Sequence, residues 1–120
     1  EGQPADTAVH VTVPLRPQAV EEAGLSDEAV ILTASEFGRR PRDNGGGTDH
    51  GTAAPHMLIG PAVVGGRYGE SPSLWRLDRS GNPIHTVDFR SVYATVLDGW
   101  LQADADSVLG HSYERMPLFG

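Results

Sequence analysis

Four consecutive apolar residues, Ala29-Val30-Ile31-Leu32, run through Thr33, Ala34 and Ser35 to an acid, Glu36. A basic segment follows, Arg39-Arg40-Pro41-Arg42, and then a glycine-rich stretch that ends in Asp49-His50-Gly51. An unbroken apolar run, rather than an alternating one, is what a parallel strand covered on both faces requires. The expectation is therefore an α/β domain in which Ala29–Ser35 is a central strand. Such a strand delivers polar groups at its carboxyl end, where open α/β sheets bind ligands. The segment from Gly38 to Gly51 is so rich in Gly, Pro and Arg that it reads as irregular.

The other elements follow from periodicity and punctuation. Pro55–Ile59 reads as a second, shorter strand, ended by Gly60-Pro61. Residues 67–83 read as a connection that Tyr68, Leu74, Trp75 and Leu77 pack down. From Asp88 to Ala103, Phe89, Val92, Tyr93, Val96, Leu97, Trp100 and Leu101 recur at steps of three and four, the stripe of an amphipathic helix. Arg90, Ser91, Thr95, Asp98 and Gln102 fall on its other face, and Thr86 or Asp88 is the expected N-cap. Asp104–Leu109 reads as a short helical turn closed by Gly110, and the apolar Met116–Phe119 should dock. Near the N-terminus, His10–Val13 reads as a strand, Pro17–Leu25 as a helix stopped by Gly24, and Ser26–Glu28 as a turn.

The chain has 120 residues, enough for one domain or part of one. Its formal net charge is -7, and its nine basic residues are all arginine, too few to make the basic stripe that nucleic acid needs. Cysteine is absent, so there is no disulfide framework, thiolate nucleophile or Cys-ligated zinc. No apolar run approaches the ~20 residues of a membrane span.

The chemistry lies around the stretch from Glu36 to His56. A strand-end carboxylate with an Asp-His pair on a following loop makes Glu36, Asp49 and His50 candidate ligands for a divalent metal such as zinc, manganese or calcium. The alternative for Glu36 is pairing with Arg39, Arg40 or Arg42, and for His50 it is a turn hydrogen bond. His56 is a fourth candidate ligand, with the stronger alternative of a packed, hydrogen-bonded histidine. Arg39, Arg40 and Arg42 match an oxyanion such as phosphate or sulfate; the alternative is that they solubilise the loop and pair with Asp43 and Asp49. The glycines form no phosphate-binding motif, and Ser35 stands in no nucleophile elbow.

The runs TASEFGRRPRDNGGGTDHGTAAPHMLIGPAVVGG, YGESPSLWRL and TVDFRSVYATVLDGWLQADADSVLG resemble the C-terminal part of the bacterial domain-of-unknown-function family 1501. The resemblance covers roughly Leu25 to Phe119 and leaves residues 1–24 atypical. That family in turn resembles a distant branch of the sulfatase and alkaline phosphatase superfamily. The resemblance implies a partial alkaline-phosphatase-like sandwich, an exported or periplasmic protein, and a metal-dependent ester hydrolase or a relative that kept the fold and lost the chemistry. It also implies that Glu36 and His50 are remnants of the metal site. Where the superfamily places a second ligand after the strand-end acid, this chain has Phe37. The nucleophile and a metal-binding aspartate come from the superfamily's N-terminal half, which has no counterpart in this sequence. Self-association, or a missing N-terminal half, is the partner this implies, and an anionic ester is the ligand.

Overall fold

A computed structural model describes residues 17–120, which form two compact units. One holds the residues up to Pro61 together with Ser71–Thr86; the other holds Ala62–Glu70 and Val87–Gly120. The expected strand at His10–Val13 lies outside the described residues.

The first unit opens with α1 (Pro17–Glu22). Proline suits a first helical turn because the N–H it lacks has no partner there. The stop is a Schellman motif: the Leu25 N–H donates to Val20 O and the Gly24 N–H to Glu21 O, while Gly24 takes φ 68. A 3-10 turn at Ser26–Glu28 leads on.

The apolar run forms a strand only at β1 (Ile31–Leu32), and it pairs antiparallel with β4 (Leu58–Ile59). This corrects the expected central parallel strand over Ala29–Ser35 and shortens the one expected over Pro55–Ile59. The reason is local. Thr33 takes over the pairing with its side chain, its Oγ1 accepting from the Met57 N–H at 2.7 Å, while its own N–H donates to Met57 O. His56 Nδ1 lies 2.8 Å from Thr33 O, as a packed histidine should.

The segment expected to be irregular is instead a hairpin of β2 (Gly38–Asp43) and β3 (Thr48–Gly51). Side chains build its turn: Asp43 Oδ1 accepts from the Gly45 N–H and Asn44 Oδ1 from the Gly46 N–H. Gly45 and Gly47 have φ of 94° and 142°, values that L side chains rarely adopt. Gly38 pairs with Gly51, where a Cβ on Gly51 would sit 2.6 Å from the backbone of Arg39.

The second unit is built on α2 (Phe89–Gly99) and α3 (Ala105–Leu109). Asp88 is the N-cap of α2, accepting from the Arg90 N–H and pairing with its guanidinium. Asp104 caps α3, accepting from the N–H and the hydroxyl of Ser107, and Gly110 ends it at φ 71. The deepest face of α2 is not the bulky stripe. Ser91, Ala94 and Thr95 are buried, whereas Phe89, Val92, Tyr93, Val96, Leu97 and Trp100 are half-buried and Leu101 is 60% exposed. Small residues let the C-terminal tail approach closely, and polar bonds hold it there. Thr95 Oγ1 donates to Ser91 O and accepts from the Met116 N–H. Leu118 is buried, and Phe119 stacks on Trp100, so the tail docks as expected. In the first unit the Leu74–Trp75 pair fails to pack: Trp75 is 90% exposed.

Arg115 gathers the second unit's loose ends, bonding Asp98, Asp106 and the carbonyl of Tyr113. Its hydrogen bond holds the Asp106 carboxyl below the ordinary value of 3.8, and the Ser107 hydroxyl does the same for Asp104. A depressed folded pKa adds stability that is present above the ordinary value and lost as pH falls through the folded one. Helical circular dichroism should therefore show a melting temperature that drops as pH falls through 3.8 and below. Asp106→Asn should lower it at neutral pH and flatten that acid dependence; an unchanged profile would rule out this origin.

Candidate functional site

The site is the end of the hairpin that Gly38 and Gly51 close. A second turn, Asp78–Asn82, lies against it. In that turn one carboxylate organises five residues. Asp78 Oδ1 accepts from the Ser80 and Asn82 N–H groups at 2.8 and 2.9 Å, and Oδ2 accepts from Asn82 Nδ2 at 3.0 Å. Gly81 supplies the φ of 81° that such a reversal needs. These bonds, the Asn82 side chain foremost, hold the Asp78 carboxyl below the usual carboxylate range.

Asn82 is 8% exposed. With its Nδ2 committed to Asp78, its Oδ1 faces the hairpin and accepts from Arg40 Nε at 3.0 Å. The Thr52 hydroxyl, just beyond β3, donates to Pro83 O at 2.8 Å. The turn is thus sewn to both strands of the hairpin. Arg40, His50, Thr52, Asp78, Ser80 and Asn82 line an open cleft of about 440 Å³.

Of the residues singled out from the sequence, Arg40 and His50 meet in this cleft. Arg39 and Arg42 are exposed on the hairpin. Arg39 donates to Thr48 O, and its guanidinium carbon lies 5.1 Å from the centre of the Phe37 ring. Asp49 is exposed and accepts from Asn44 Nδ2. So Arg39 and Arg40 bond a carbonyl and an amide, and neither makes the alternative pairing with Asp43 or Asp49. Glu36 is exposed, and the His50 ring stacks on Phe37. Among the described residues no group of three or more His, Asp and Glu side chains is placed to hold a metal ion. Ser35 Oγ is buried and has no hydrogen-bond partner among the described residues.

Sequence reading missed Asp78, Ser80, Asn82 and Thr52. A signal was present: Asp-x-Ser-Gly-Asn offers a carboxylate, two short polar side chains and a glycine at the spacing of a side-chain-built turn. What no spacing shows is that this turn meets the hairpin some forty residues earlier.

Asn82→Ala should leave Arg40 Nε and an Asp78 oxygen without their partner. The expected cost is about 1–3 kcal/mol in chemical denaturation, with chemical-shift changes concentrated at Arg40 and Ser80. Shifts spread evenly over the unit would contradict this local role.

The family described as "Protein of unknown function (DUF1501)" matches residues 17–110 of this chain. No curated protein and no solved structure matches it. Among the described residues no helix is long and apolar enough to cross a membrane.

Proposed function

Because this chain belongs to the DUF1501 family, whose description assigns no function, we propose from the cleft itself that it binds the oxyanion of an ester. The observation that carries this reading is the fixed Arg40. Its Nε is held by a buried amide, so the guanidinium is oriented before any ligand arrives, while its Nη groups remain available as donor chemistry. A pre-oriented guanidinium loses less rotamer freedom on binding than one waving in solvent. His50 and the Ser80 hydroxyl line the same cleft and can hydrogen-bond the other oxygens.

In this reading the chain is the C-terminal portion of an exported protein distantly related to the sulfatases and alkaline phosphatases, built on their sandwich. A metal at Glu36, Asp49 and His50 is part of that proposal only if groups beyond the described residues complete the ligand set. The side chains of the described residues do not assemble a metal site by themselves. Binding without turnover is the expected behaviour of this chain, since Ser35 has no hydrogen-bond partner among the described residues and a weak nucleophile needs an activating one. A binding or assembly partner that kept the fold and lost the chemistry is the second reading, favoured by Phe37 against His50.

The test is titration with phenyl sulfate, followed by chemical shifts and calorimetry. Arg40→Met should weaken binding about tenfold or more, the usual effect of losing a charge-assisted hydrogen bond. Arg42→Met, on the exposed part of the hairpin, should leave it within about twofold. Equal affinity in the Arg40 variant, with an intact melt, would remove the assignment. Phenyl sulfate and phenyl phosphate should both remain uncleaved, and clear hydrolysis would reveal a nucleophile elsewhere in the chain.

A further inference from the structure

We propose that the cleft selects singly charged oxyanions, meaning sulfate monoesters or phosphodiesters, over doubly charged phosphate monoesters; this rests on the oxyanion-binding reading above. The selectivity comes from where the charges lie. Arg40 supplies one permanent positive charge to the lining, and Asp78 supplies one negative charge to the same lining. Asp78 cannot withdraw. Its oxygens take the Ser80 and Asn82 N–H groups and the Asn82 amide, and those bonds are the turn. It stays ionised at neutral pH because the same bonds hold its carboxyl low.

Arg40 reaches the turn through the neutral amide of Asn82, with Nε bonded to Oδ1. The guanidinium charge is therefore held beside the carboxylate by an intermediate group, and it can match one negative charge on a ligand. A second negative charge on the ligand faces Asp78. Two unit charges a few ångströms apart across water repel enough to change an affinity about fivefold, and more where water is excluded. The Ser80 hydroxyl is neutral and serves an ester oxygen equally well in either class.

The experiment is an NMR titration of the isotopically labelled full chain at pH 8, where a phosphate monoester, with its second pKa about 6, is doubly charged. The probes are phenyl sulfate, dimethyl phosphate and phenyl phosphate. The expected result is that at least one singly charged probe shifts Arg40, Ser80 and Asn82 and binds about fivefold or more tightly than phenyl phosphate. Which of the two does so separates a sulfate ester from a phosphodiester as the natural class. Phenyl phosphate binding as tightly as the singly charged probes, with shifts at those residues, overturns the selectivity and leaves the oxyanion reading standing. No shift at those residues with any probe overturns both. Asp78→Asn removes the charge and keeps an acceptor for the two backbone N–H groups but not for Asn82 Nδ2; with the singly charged probes still shifting Arg40, it should bring phenyl phosphate level. A gap as wide as in the wild type would overturn the role given to Asp78. The wild-type comparison decides the selectivity whether or not that variant folds.

Discussion

A buried primary amide must satisfy both of its ends, and in this protein that requirement joins a turn and a hairpin into one site. Asn82 is 8% exposed, its nitrogen donates to Asp78 and its oxygen accepts from Arg40. Each bond fixes the orientation of the next. If Asn82 were flipped, an amide nitrogen would face Arg40 Nε, donor against donor, and an amide oxygen would face a carboxylate. Neither arrangement has an attractive alternative nearby, so the relay has one low-energy state. A half-satisfied polar network costs more than an apolar contact, because unmet groups in a poorly hydrated site lose their water without replacement. The geometry of the cleft thus depends on a residue that contributes no charge to it.

The second unit solves a different problem by related means. Among its described residues, Ala94, Ala105 and Leu118 are the buried apolar ones, which is little for forty-odd residues to fold around. Polar closure does the rest. Thr95 ties the tail to the middle of α2, and Asp98 accepts from the Ala105 N–H to set the start of α3. Arg115 then bridges Asp98 and Asp106. Such exposed ion pairs are individually weak, and their worth here lies in sharing one guanidinium. The close approach is visible at Gly99, where a Cβ would meet the Phe119 ring at 2.7 Å.

Local signals were legible in the sequence and partnerships across the chain were not. Asp88 as a cap and Gly24 and Gly110 as stops are decided within a turn, by a side-chain oxygen and left-handed φ values, and they stand where their residue types place them. The α2 periodicity located the helix but misjudged its buried face. Ser91 and Thr95 read as polar, yet Thr95 spends its hydroxyl on Ser91 O and the Met116 N–H, which makes its burial affordable. The Gly38–Gly51 hairpin escaped notice because Pro41, three arginines and five glycines made the stretch read as irregular. Its stability comes instead from Asx bonds in the turn and from two glycines whose backbones close on each other. Arg40 and His50 were recognised as chemistry-bearing residues. Their meeting with Asp78 and Asn82 rests on contacts across some forty positions that no local pattern encodes.

The relay from Asp78 through Asn82 to Arg40 can be observed directly at the arginine. Side-chain nitrogen NMR of the labelled chain at near-neutral pH resolves each Nε–H and its exchange with water. A held Arg40 should show an Nε–H that exchanges markedly more slowly than that of the exposed Arg42, with a nuclear Overhauser contact to the Asn82 side chain. Arg40 and Arg42 exchanging at the same rate, with no such contact, would mean that the guanidinium is not held and that the cleft is not pre-formed.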